Sequence, residues 1–252
     1  MEKIFIIDNE VHRPIGHWTK QIHKLLHYLR EQGFYFAPNP LGFDEQGREI
    51  MSFIKGKTGD YPLSEEIKST NALVSSAKLL RAYHDVSQNF LNQVTLTQDW
   101  MLPSKNPQEV ICHSDFAPYN IVFEGKQAVG VIDFDTAHPG PRKWDIVYAL
   151  YRFAPFTSPD NEDGFGHIAD QILRACLFCK SYGLSKENRV GIVDLMVERL
   201  QDLINFMINS AREGDKKYQL NISEGHHLKY SNDIEYIKSE RYKIEEGLKQ
   251  FE

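Results

Sequence analysis

Residues 110–150 constrain this chain more than any other stretch. At their centre is His113-Ser114-Asp115-Phe116-Ala117-Pro118-Tyr119-Asn120, and a short apolar run, residues 128–132, then leads into Asp133-Phe134-Asp135. Asp115 lies five residues ahead of Asn120 on a tight loop, and Asp133 closes the hairpin that follows. Oxygen-bearing side chains at this spacing suit two linked tasks. One carboxylate orients a hydroxyl and accepts its proton, while an amide oxygen and a second carboxylate ligate the Mg²⁺ that neutralises a nucleotide's phosphates. Single Asp and Asn residues in loops are commonly turn formers or helix caps. Three such groups on a strand-loop-strand pattern point instead to shared chemistry.

The form H-x-D-x-x-x-x-N followed by D-F-x is the catalytic half of the kinase motif set. Together with Ile111-Cys112-His113, Val131-Ile132-Asp133-Phe134-Asp135 and Gly140-Pro141-Arg142-Lys143-Trp144-Asp145-Ile146, it resembles the aminoglycoside phosphotransferase and choline kinase family, small-molecule kinases that share the protein-kinase fold. The resemblance is specific over these residues and diffuse elsewhere. It implies an α+β, two-lobed fold: a truncated β-containing N-terminal lobe, residues 1–56, and a mostly helical C-terminal lobe, residues 57–252, that carries the catalytic loop and the metal-binding hairpin. It also implies roles. Asp115 aligns the acceptor hydroxyl and takes its proton; Asn120 and Asp133 hold Mg²⁺; ATP or GTP is the phosphate donor. His113 scaffolds the loop, Asp145 braces it from below, and Asp135 assists either by supporting the metal ligands from behind or as an acceptor contact.

Ahead of this segment the order of elements fits a small lobe. Residues 3–8 form a β-branched and aromatic run, Asp8-Asn9-Glu10 is a turn signal, and Val11-His12-Arg13 completes a hairpin. Thr19 is placed to cap a helix over residues 20–32, whose Ile22, Leu25, Leu26 and Leu29 share one face, and Gly33 ends it. Two strands follow, joined by the turn Asp44-Glu45-Gln46-Gly47. The second strand runs over residues 49–54 into a hinge in which Ser52, Phe53 and Ile54 meet an adenine ring; the alternative is a sheet edge without a ligand.

Two departures from the family pattern stand out. No Gly-rich loop precedes the helix, although a kinase small lobe normally covers the phosphates with one. The usual strand Lys has no counterpart either. Arg13 lies where a fixed charge can meet phosphate, the alternative being a surface Arg, and no Glu early in the helix is placed to pair with it.

Residues 57–63 read as a loop, 65–89 as one helix, and 90–107 as an irregular connection. Only eleven residues separate Phe134 from Ile146, too few for a protein-kinase activation segment, which points to a small-molecule acceptor. In the loop over residues 155–166, Asp160, Glu162 and Asp163 are either a solvated acidic cluster or a lip that attracts a cationic acceptor. Helical patterns follow over residues 167–182 and 186–214, and a thinner apolar stripe over 225–251 reads as a terminal helix.

Composition excludes several classes. A formal charge of -6 with no basic stripe argues against a nucleic-acid partner. No apolar run approaches a membrane span. Three cysteines suggest a reducing compartment, the cytoplasm. Cys176 and Cys179 have C-x-x-C form without a second ligand pair, so a buried helix face is expected rather than a zinc site. The leading expectation is phosphoryl transfer to a small molecule. The rival is a non-catalytic binding, resistance or toxin-immunity protein on the same scaffold, which the missing glycine loop favours and the intact Asp115, Asn120 and Asp133 set opposes.

Overall fold

The computed structural model describes residues 4–93, 99–161 and 163–250, and the chain divides into two compact units, residues 2–145 and 146–252. In the first unit, strands β1 (Phe5–Ile7) and β2 (Glu10–Arg13) form a hairpin through Asp8 and Asn9, with φ of 49° and 63°. Short polar side chains tolerate that left-handed geometry, which matches the twist of a tight hairpin. Strands β3 (Pro40–Phe43) and β4 (Glu49–Ser52) complete an antiparallel sheet in the order β1-β2-β4-β3. The register sets Arg13 directly opposite Glu49.

Helix α1 (Thr19–Glu31) buries Ile22, Leu25, Leu26 and Leu29, the face expected from their spacing. Thr19 does not cap it. Trp18 holds the cap position, and Thr19 is the first helical residue, its hydroxyl accepting the Gly16 N–H at 2.9 Å.

A second sheet joins β5 (Lys57–Thr58), β7 (Ile121–Glu124) and β8 (Gln127–Val131), and a third pairs β6 (Val110–Cys112) with β9 (His138–Gly140). Strand β5 lies in the stretch expected to be loop; two residues carry no periodicity to read. The helix expected over 65–89 is two helices, α2 (Glu65–Lys68) and α3 (Thr70–Phe90). Ser69 breaks it by adopting an extended conformation and accepting the Ala72 N–H as the cap of α3. On α3, Leu73, Ala77, Leu80, Tyr83 and His84 are fully buried.

Helix α4 (Arg142–Phe153) begins in the first unit. The second unit is otherwise α5 (Ile168–Tyr182), α6 (Ile192–Arg212), α7 (Lys216–Ser223), α8 (His226–Ser239) and α9 (Arg241–Gln250). The single terminal helix expected over 225–251 is therefore a pair. Helix α9 comes so close to α5 that a Cβ on Gly247 would meet Ile172 at 2.3 Å. Cys176 and Cys179 lie on the buried face of α5, and burial pushes the Cys179 thiol up to about 12. Among the described residues, no helix is long and apolar enough to cross a membrane.

Candidate active site

Strand β6 is wholly buried and delivers the chain to His113. Ser114 then takes a left-handed backbone, φ 65°, a strained choice for a residue with a Cβ. Asp145 holds it there. Its two carboxylate oxygens accept the backbone N–H groups of His113 and Ser114, each at 2.6 Å, and its Oδ2 also lies 3.0 Å from Nε2 of His84. Burial works against the Asp145 charge, but the His84 hydrogen bond and the nearby imidazoles reverse it, so its pKa is lowered. Burial lowers the pKa of His84 despite that bond, which leaves a neutral imidazole donating through Nε2.

His113 spends both ring nitrogens on backbone. Nε2 pairs with the Ile132 carbonyl at 3.0 Å, and Nδ1 accepts the Asp115 N–H at 3.3 Å. Its ring packs on Phe134, centroids 4.7 Å apart. The loop and the Asp133-bearing turn are thus locked together, and the Ile132 N–H donates to the Asn120 carbonyl at 2.9 Å.

Asp115 is half-buried. Its Oδ1 accepts the Tyr119 hydroxyl at 2.6 Å, and its Oδ2 accepts the Asn120 amide at 2.8 Å. The same amide nitrogen donates to the Asp115 carbonyl at 2.9 Å, so Asn120 braces the loop. Asp133 has φ 63° and a side chain that is 48% exposed.

Arg13 is not a surface residue: its side chain is 16% exposed. Nε reaches Glu49 at 2.7 Å, and the two terminal nitrogens reach Asp133 at 3.2 Å and Asp135 at 2.6 Å. Burial alone would weaken the guanidinium charge; Asp135, Glu49 and Asp133 outweigh it and raise the pKa. Burial raises the pKa of Asp135, with Arg13 opposing and the Asp133 and Glu49 charges adding to the rise.

Sequence reasoning missed Glu49. It looked for an acid on the helix, whereas the acid sits on β4, across the strand pair from Arg13. The helix supplies a histidine instead: Nε2 of His23 lies 2.7 Å from Glu49, whose side chain is 1% exposed. His23, one of the buried polar residues of α1 and adjacent to Ile22 on its core-facing side, was the available signal.

A cavity of about 560 Å³ lies within the first unit. Arg13, Ser52, Phe53, Ile54, Asn120 and Asp133 all line it, and Val11, Leu26, Met51 and Val122 give it apolar walls. Such a volume and mixture suit a small organic ligand. Gly56, φ 145°, lets the chain pass against Val122 where a Cβ would meet a methyl at 2.5 Å. Asp160 and Asp163 belong to the second unit, and Glu162 lies outside the described residues. Among the described residues, no group of three or more His, Cys, Asp or Glu side chains could hold a metal. Asn120 and Asp133 present one amide and one carboxylate, hard oxygen donors of the kind Mg²⁺ takes when substrate phosphates complete its shell.

Residues 90–175 match the Phosphotransferase enzyme family. A trifolitoxin immunity protein from Rhizobium leguminosarum bv. trifolii is 32% identical over 214 residues, covering 82% of this chain and 77% of the relative. A homoserine kinase from Zymomonas mobilis is 35% identical over 183 residues, covering 58% of this chain and 53% of that enzyme. The solved structure of an ethanolamine kinase from Plasmodium vivax matches with a TM-score of 0.63 at 13% identity, over 94% of this chain and 81% of that one. The fold is therefore the α+β, protein-kinase-like fold of small-molecule kinases. The chain belongs to the aminoglycoside phosphotransferase and choline kinase family.

Proposed function

We propose that the protein transfers the terminal phosphate of ATP or GTP to a hydroxyl of a small molecule. The observation that carries this reading is the cavity in which Arg13, Asn120 and Asp133 meet the hinge residues Ser52, Phe53 and Ile54. Adenine or guanine would lie against the hinge and the apolar walls. Asn120 and Asp133 would hold Mg²⁺, which supplies charge neutralisation at the phosphates when bound. Asn120 commits its amide nitrogen to Asp115, which leaves its oxygen for the cation. Arg13 keeps further N–H groups beyond the three that its carboxylates engage, and these suit phosphate oxygens.

Asp115 would orient the acceptor hydroxyl and take its proton, held in place by Asn120. His113 and Asp145 keep that loop rigid, so catalysis rests on positioning and electrostatics. Asp135 serves chiefly to fix Arg13, and through Arg13 touches the phosphate side of the site. The acidic residues Asp160, Glu162 and Asp163 fit a cationic acceptor. Cys112, Cys176 and Cys179, none of them in a disulfide, fit the reducing cytoplasm.

The rival reading has its own support. A relative named for immunity to a toxin and a hairpin turn of two residues in place of a glycine loop both favour a binding protein without turnover. Release of ADP from Mg²⁺-ATP, or of GDP from Mg²⁺-GTP, across amino sugars, amino alcohols and nucleosides separates the two. Acceptor-dependent release that Asp115→Asn abolishes supports the kinase. Nucleotide binding with no release for any acceptor supports the rival.

A further inference from the structure

We propose that Tyr119 is a built-in stand-in for the acceptor. Its hydroxyl occupies Asp115 until a substrate hydroxyl displaces it, and so keeps water from being phosphorylated. This deepens the phosphotransferase reading and rests on it.

The geometry is that of an acceptor already in place. The Tyr119 hydroxyl donates to Asp115 Oδ1 at 2.6 Å, the short length expected of an O–H bonded to a carboxylate. The other oxygen, Oδ2, accepts the Asn120 amide, which also ties down the Asp115 backbone. The Asn120 amide holds the Asp115 backbone as well as its side chain, so the tyrosine hydroxyl is the partner that an acceptor displaces. The ring is half-buried beside Tyr61, centroids 6.4 Å apart. Tyr61 belongs to a segment clamped to the catalytic loop: the Gly59 N–H donates to the Pro118 carbonyl at 2.9 Å, and a Cβ on Gly59 would meet Pro118 at 2.6 Å. The backbone beside Tyr119 is therefore held firmly, and its hydroxyl leaves Asp115 when the ring turns about its side-chain bonds.

The chemistry explains why a stand-in is useful. Water that reached Asp115 would give its proton to the carboxylate while its oxygen bonded to the terminal phosphorus. The bond from that phosphorus to the bridging oxygen would break, and ADP and phosphate would leave. A substrate hydroxyl follows the same course and yields a phosphate ester. A tyrosine that surrenders Asp115 only to a well-bound acceptor selects the second course.

The test is Mg²⁺-ATP hydrolysis with no acceptor added, together with thermal-shift titration of Mg²⁺-ATP. Tyr119→Phe removes one oxygen, and hydrolysis is expected to rise about tenfold or more with nucleotide affinity unchanged. Tyr119→Leu must behave alike, and Asp115→Asn in the Tyr119→Phe background must return hydrolysis to baseline. Variants that bind nucleotide but hydrolyse it no faster than the wild type overturn the proposal and leave the phosphotransferase reading standing. Phosphate found on Tyr119 by mass spectrometry also overturns it, since the residue would then be an acceptor. Absence of nucleotide binding in the wild type overturns the phosphotransferase reading and this proposal with it.

Discussion

Under the proposed function, the phosphate side of the site turns on Arg13. Three carboxylates share its charge, and of these Glu49 is the buried one, steadied by His23. A lysine would offer a point charge and cannot span three carboxylates in a plane. Glu49→Gln keeps an acceptor oxygen for Arg13 Nε but removes the buried negative charge that holds the guanidinium. Under the proposed function this raises the dissociation constant for Mg²⁺-ATP about tenfold, the worth of one hydrogen bond to a charged group. Calorimetry checks it, and an unchanged constant would remove Arg13 from the phosphate site. The residue scale also shows what a sequence reveals. The loop and hairpin that carry Asp115, Asn120 and Asp133 were legible because the spacing of these residues maps directly onto them. Glu49 was hidden because only the cross-strand register brings it to Arg13.

At the scale of elements, the joint between α3, α4 and the catalytic loop carries the strain of Ser114. Asp145 satisfies two loop N–H groups and one imidazole while fully buried. Asp145→Ala would remove all three of these bonds, and about 3–5 kcal/mol of stability should be lost in urea unfolding. Acid acts on the same joint. His84 has a pKa lowered from 6.5, so its contribution is complete above about pH 6.5 and is lost as pH falls through the depressed folded value. Asp145, lowered from 3.8, behaves likewise at lower pH: its contribution is complete above about pH 3.8 and is lost as pH falls through its folded value. Melting temperature should therefore fall in two stages on acidification, and His84→Gln should flatten the upper one. Identical slopes for both proteins between pH 7 and 5 would contradict this. The elements themselves were legible in proportion to their length. The stripes of α1 and α6 span several turns, whereas β5 has two residues, and the break at Ser69 depends on one side chain turning back to cap its own helix.

For the whole molecule, the cavity and the carboxylate cluster both lie in the unit of residues 2–145, and the unit of residues 146–252 is helical. The family was legible from about forty residues because phosphate chemistry restricts that segment; the fold matches an ethanolamine kinase at 13% identity, where little else of the sequence is shared. The acceptor is not legible in the same way, since no spacing rule governs which loops and helices greet it. The central claim is that Asn120 and Asp133 make nucleotide binding depend on a divalent cation. Thermal shift with Mg²⁺-ATP tests it most directly. At about a hundred times the dissociation constant, the wild type should melt about 5–10 °C higher with Mg²⁺ than without it, and Asp133→Ala should lose that dependence. No shift with either nucleotide, or an equal Mg²⁺-dependent shift in Asp133→Ala, would contradict the account.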